Sequence, residues 1–179
     1  MLRIDNTVLV CIDIQGNLAR AMDHKEDLFR NAKILISGIR ALEVPIVWTE
    51  QNPQRLGETL PEVADLLSGF SPIPKMMFSC CGEEAFMHAL EQTGRRQVLI
   101  AGIEAHVCVY QTAHDLAGRG YEVQVVADAV SSRTAGNKAI ALEKLKTIGA
   151  GLTSTEMALF ELMKTAEHPR FREISKIVK

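Results

Sequence analysis

Three side chains of complementary chemistry fall where the pattern ends its strands: the carboxylate of Asp13, the amine of Lys75 and the thiol of Cys108. Segment 98–113 reads VLIAGIEAHVCVYQTA. Its apolar start meets Gly102, and Cys108 follows just as the spacing turns helical. A thiolate is the nucleophilic form of cysteine, and a helix N-terminus or a nearby cation stabilises it. The intervening GIEAHV is a loop able to aim backbone N–H groups inward as an oxyanion hole. Each residue also has a plain reading. Cys108 can be a small buried hydrophobe. Asp13 can be a cap at a strand end rather than the base for a thiol. Lys75 can be a solvated surface cation. What favours chemistry is the trio, each member at the end of a different strand.

Histidine, the usual base, is poorly placed. His114 lies six residues beyond Cys108, about 240° around a helix and so on another face. His106 is in the turn, whereas Gln111 and Thr112 share the face of Cys108. Cys80 and Cys81 are adjacent, too close for a zinc clamp. They read as two thiols on the approach to a helix, one of them buried. No HxH or HxxxH spacing occurs, so no metal site is expected. Nucleotide binding needs a glycine-rich turn. The turn after the first strand, IQGNLARAM, has a single glycine, so no cofactor is expected.

The elements that must position these residues alternate along the chain. Thr7–Ile12, Val44–Trp48, Ile73–Phe78, Val98–Ala101, Glu122–Ala127 and Gly151–Thr153 read as strands, several of them continuous apolar runs. Leu28–Leu42, Glu62–Leu67, Glu83–Gln92, His106–Gly118, Gly136–Ile148, Thr155–Thr165 and the tail after Pro169 read as helices, with a loop over Asn52–Leu60. Asp128 reads as a cap for the turn before Ser131 and Ser132. Apolar strands without polar alternation imply a parallel sheet covered on both faces. The expectation is one α/β domain over 1–179, a doubly wound three-layer sandwich with a six-stranded, mostly parallel, Rossmann-like sheet. Ligands bind such sheets beyond the carboxyl ends of the strands, where Asp13, Lys75 and Cys108 collect.

Composition narrows the partners. The 179 residues carry 20 Lys and Arg against 22 Asp and Glu, a net charge of −2. There is no basic field for nucleic acid and no charge block for a membrane surface. No apolar run approaches about 18 residues. The start MLRIDNTVLVCID lacks a signal-peptide cleavage site. With four cysteines, reduced thiols in a cytoplasmic setting are the expectation.

The segments VCIDIQG, VWTEQNPQRLG, PKMMFS, GIEAHVCVYQTA and VADAVSSR, in that order and spacing, resemble the isochorismatase-like cysteine hydrolase superfamily. Within it the chain is similar to the isochorismatase domain-containing proteins. The resemblance implies the superfamily's hydrolase fold and an Asp–Lys–Cys triad at Asp13, Lys75 and Cys108. It implies a cis peptide between Ile103 and Glu104, and an oxyanion hole from the Glu104 and Cys108 N–H groups. It further implies hydrolysis of a C–N bond in a small amide or carbamoyl substrate through a thioester, and assembly as a homo-oligomer. Gln15, Gln51, Phe78 and Val107 are candidate pocket walls, although Gln15 can be a surface residue and Phe78 plain core. Gln51 and Asn52 stand where nicotinamidases carry metal-binding Asp and His, which argues against metal dependence. The alternative is a catalytically silent scaffold on the same fold, or a redox sensor using Cys80, Cys81 or Cys108.

Overall fold

The first strand, β1 (Thr7–Ile12), is buried at every residue. A strand without a polar face must be covered on both sides. Val8, Val10 and Ile12 pack into one apolar layer, and Leu9 and Cys11 into the other. The computed structural model, which describes residues 1–179, places β1 at the centre of one sheet. The other strands of the sheet are β2 (Ile46–Gln51), β3 (Ile73–Lys75), β4 (Gln97–Ile103), β5 (Glu122–Ser131) and β6 (Gly151–Thr153). The order is β3-β2-β1-β4-β5-β6 and every pairing is parallel. The chain winds outward through β2 and β3, then crosses to β4 and winds the other way. The switch point lies between β1 and β4.

The helices are α1 (Gly16–Arg20), α2 (Lys25–Ala41), α3 (Pro53–Leu56), α4 (Pro61–Ala64), α5 (Glu84–Gln92), α6 (Tyr110–Gly118), α7 (Ala135–Thr147), α8 (Thr155–Met163) and α9 (Phe171–Ile177). One layer joins α2, α8 and α9 to the sheet through Leu35, Ile36, Leu159, Leu162 and Ile174. The opposite layer uses Phe86 and Leu90 of α5, Ala113 and Leu116 of α6, and Leu145 of α7. The three-layer, doubly wound expectation therefore holds, with a sheet that is wholly parallel. No helix is long and apolar enough to cross a membrane.

Several sequence expectations are corrected. The second strand starts after Pro45 and runs past Trp48 to Gln51. The third ends at Lys75, the strand end that nominated this residue, and the rest of the run to Phe78 leaves the sheet, where the Lys75 ammonium gathers the Met77 and Phe78 carbonyls. The fifth continues through Asp128 to Ser131. Asp128 thus caps no turn before Ser131. Its Oδ1 accepts from the Thr155 N–H at 2.8 Å and the Thr155 hydroxyl at 3.0 Å, at the start of α8. The helix expected over His106–Gly118 begins instead as a single π-helical turn, Ala105–Val109, which holds Cys108. Cys80 and Cys81 are both buried, in a short 3-10 turn.

Gly102 shows how tightly the switch point is built. It pairs with Ile12 and has a φ of 125°, a region that side chains disfavour. A Cβ there would collide with the Ile12 backbone. Gly102→Ala should lower unfolding free energy in urea by about 3 kcal/mol or more. A loss within about 0.5 kcal/mol, the range of an ordinary surface substitution, would contradict this account.

Candidate active site

Asp13 stands one residue past β1 in a left-handed conformation, φ 54°, uncommon for a residue with a side chain. Neighbouring bonds hold it there. Its N–H donates to the Thr49 carbonyl at 3.2 Å, and its own carbonyl accepts from the Gln15 N–H at 2.8 Å. The side chain turns inward and is only 1% exposed.

Lys75 ends β3, two strand spacings from β1, or about 10 Å. Its long side chain spans that gap. Nζ lies 2.7 Å from Asp13 Oδ2, with the lysine side chain fully buried. It donates to Gln51 Oε1 at 2.6 Å and to the carbonyls of Met77 and Phe78, each at 3.2 Å. Burial works against the ammonium. The Asp13 charge works the other way, so its pKa is raised and the group stays charged.

Cys108 enters from the far side of the switch point, on the π-helical turn that follows β4. Burial pushes its thiol up to about 12, the Asp13 carboxylate adds to this, and Lys75 pulls the other way. The resting sulfur is therefore a neutral thiol beside a carboxylate and an ammonium. The π-helical turn runs straight into α6, so Cys108 lies in the first turn of one continuous helical segment, as the sequence suggested, yet burial and Asp13 keep its sulfur protonated. The Ile103–Glu104 peptide is cis. The Glu104 carbonyl accepts from the Val107 N–H at 3.0 Å and the Val109 N–H at 3.2 Å, while the Glu104 N–H has no acceptor in the chain.

The other candidates take definite places. Gln15 is buried, not a surface residue. Its amide is spent on backbone: Oε1 accepts from the Gln51 N–H at 2.6 Å, and Nε2 donates to the carbonyls of Gln51 and Gly57. Gln51 touches Lys75 directly and donates from Nε2 to the Met76 carbonyl at 2.9 Å. Phe78 is 53% exposed, so it is not core, and it reaches the site through its carbonyl. Val107 is half-buried against the layer that holds Cys108. His106 bonds Ser132 Oγ at 3.0 Å, and His114 sits on the exposed side beside Asp115.

The structure adds Thr49, which the sequence reading did not single out, and gives Cys80, read there only as an approach or redox thiol, a place beside the charged pair. Thr49 donates its hydroxyl to Asp13 Oδ1 at 2.7 Å. Cys80 is fully buried, and its thiol feels both Lys75 and Asp13. Neither carries a motif. Thr49 becomes visible only through its register opposite Ile12. Cys11 and Cys81 lack both of those charged neighbours.

A hollow of about 470 Å³ opens elsewhere, between α2, β5 and α7, lined by Asp23, Asp27, Asp128 and Lys138 among others. It contains none of the three converging residues. Another, of about 650 Å³, borders Lys75, with Asn52, Arg55, Met76 and Glu83 on its walls.

Residues 7–157 match a family model described as the isochorismatase domain. Isochorismatase domain-containing protein 1 of Danio rerio is 40% identical over 173 residues, 97% of this chain and 61% of that protein. The chain thus spans less than two thirds of that relative's length. A solved structure described as the MAR1 ribonuclease of Caenorhabditis elegans is 34% identical, with a TM-score of 0.94 over 99% of this chain and 91% of that one. The Escherichia coli YcaC gene product, described as an octameric hydrolase of unknown specificity, has a TM-score of 0.89 at 21% identity, over 98% of this chain and 94% of that one. The likeness to that structure is one of fold.

The protonated thiol has a direct consequence. Carboxamidomethylation of Cys108 by iodoacetamide should rise about tenfold per pH unit from about pH 7 to about pH 10 without a plateau, since the thiolate fraction is still growing. Asp13→Asn removes the charge that, after burial, most raises the thiol, and leaves Lys75 in place. Alkylation at about pH 8 should then be about tenfold faster, one pKa unit's worth. Peptide-resolved mass spectrometry reads both; a plateau below about pH 9, or a slower Asp13→Asn, contradicts the assignment.

Proposed function

The chain belongs to the isochorismatase family, and from that premise we propose that it is a cysteine-dependent hydrolase of a C–N bond in a small amide or carbamoyl compound. The observation that carries this reading is the buried Asp13–Lys75 pair set against the Cys108 thiol. Cys108 is the nucleophile. As its sulfur attacks the carbonyl carbon, the thiol proton passes to Asp13, so no free thiolate need accumulate beforehand. Lys75 holds Asp13 in place and balances the charge of the thiolate as it forms. The oxyanion is received by the Glu104 N–H, which has no acceptor in the chain, and by the Cys108 N–H. The C–N bond then breaks, and Asp13 returns the proton to the departing nitrogen. Water attacks the thioester, gives a proton to Asp13 and releases the acid. Asp13 finally reprotonates the sulfur.

Two other readings fit less well. A redox-sensing thiol is usually exposed and of low pKa, whereas Cys80 and Cys108 are buried and raised to about 12. Ribonuclease action, as described for the Caenorhabditis elegans relative, calls for a cationic surface toward the phosphate backbone. This chain has a net charge of −2. We read the active form as a homo-oligomer. Met76, Met77 and Phe78 are 67%, 57% and 53% exposed beside Lys75, and the Escherichia coli neighbour is described as octameric. Light scattering on the purified protein should give a mass above that of one 19.7 kDa chain.

Ammonia release should be screened over small primary amides, ureides and carbamoyl compounds. Against any substrate found, Cys108→Ala and Asp13→Asn should each lower kcat roughly a thousandfold or more, and acid quenching should trap an acyl group on Cys108. Undiminished turnover by Cys108→Ala would end the covalent reading.

A further inference from the structure

The two oxygens of Asp13 are not equivalent. Oδ1 accepts the Thr49 hydroxyl at 2.7 Å. Oδ2 faces the Lys75 ammonium at 2.7 Å but has no aligned hydrogen-bond donor, so a lone pair is left open. Thr49 is itself buried, 1% exposed. It is tied to Asp13 twice, since its carbonyl also accepts the Asp13 N–H at 3.2 Å. A hydroxyl has one proton to donate. With that proton committed to Oδ1, the Thr49 oxygen is free to accept from Cys80, whose sulfur lies 3.8 Å away. The Cys80 N–H in turn donates to Thr112 Oγ1 at 3.0 Å. The charged and titratable groups facing Asp13 are Lys75 from β3, Cys80 from the 3-10 turn and Cys108 from the π-helical turn.

We propose that Thr49 is a positioning residue that fixes which oxygen of Asp13 exchanges the proton with Cys108. The terminal torsion of an aspartate is broad and twofold, so ion pairing alone would let the two oxygens trade places. The hydroxyl pins Oδ1 and leaves Oδ2, already beside Lys75, as the oxygen presented to the thiol. It also disperses charge: a hydrogen bond to an ionised acceptor is stronger than one to a neutral group, so the bound carboxylate presses less hard on its neighbours. This assignment deepens the hydrolase reading and rests on it for its catalytic meaning.

The test is the rate at which iodoacetamide modifies Cys108 at about pH 8, in wild type and in Thr49→Val, Thr49→Ser, Asp13→Asn and the Asp13→Asn/Thr49→Val double variant. Without the hydroxyl the whole Asp13 charge bears on the thiol, so Thr49→Val should slow alkylation about fivefold. Thr49→Ser, which keeps the hydroxyl, should stay within about twofold of wild type. In the Asp13→Asn background the valine should have no effect, because Thr49 acts through the carboxylate. Should Thr49→Val fail to fold, Thr49→Ala gives the same readout. A wild-type rate in Thr49→Val, an equal loss in Thr49→Ser, or a loss that persists in the Asp13→Asn background would each overturn the assignment. These rates need no substrate. Amide hydrolysis retained by Cys108→Ala would sink the hydrolase reading and leave the thiol measurements to decide the Thr49 contact separately.

Discussion

An ammonium and a carboxylate lie 2.7 Å apart with almost no exposure to water, and much of the molecule is arranged to tolerate them. Taking each ion out of solvent costs several kcal/mol even after relaxation. Attraction between the two offsets this only if the remaining polar capacity is also satisfied. For Lys75 that work falls to Gln51 and two carbonyls; for Asp13 it falls to Thr49 at Oδ1, while Oδ2 has only the ammonium beside it. These partners come from the second half of β2 and from the chain just beyond β3. The pair therefore exists only if β1, β2 and β3 finish at the same level, which parallel pairing in register enforces.

The same pair shapes the sulfur. A thiol set beside a carboxylate in a dry site keeps its proton, and the nearby cation reduces that bias without reversing it. Such a cysteine is quiet towards general electrophiles and has its base already in place. Cys80 sits in the same field. It differs in having no exposure at all, against 7% for Cys108, and in pointing at Thr49 rather than following the turn that leaves the Glu104 N–H free.

Around this centre the rim is braced rather than loose. Gln15 ties the end of β1 to the Gln51 and Gly57 backbone. Glu50 accepts the Thr59 N–H and hydroxyl at 2.7 and 2.8 Å, which anchors the far end of the same loop. Gly16, at φ 51°, lets the backbone pass so close to Leu56 that no side chain would fit. These contacts hold Gln51 still, and Gln51 in turn meets the ammonium.

The layered fold and the order of its strands and helices were legible in the sequence, because burial on both faces leaves a local mark: TVLVCI and VLIA have no polar alternation. Asp13, Lys75 and Cys108 stood out for a related reason, being reactive residues at the ends of such runs. Boundaries set by long-range partners were not legible. β5 extends past Asp128 because Val130 and Ser131 pair with Gly102 and Ile103 of β4, and the run to Phe78 leaves the sheet where a lysine turns inward. Thr49 reads as an ordinary strand residue in VWTEQ until the register of β2 on β1 puts its hydroxyl against Asp13. Nor does any local pattern reveal that Cys108 keeps its proton. Residue type and hydrophobic period act over a few neighbours, so the sequence alone could nominate reactive groups; their separation, dryness and shared protons arise from chain segments far apart, and only the tertiary structure decides those.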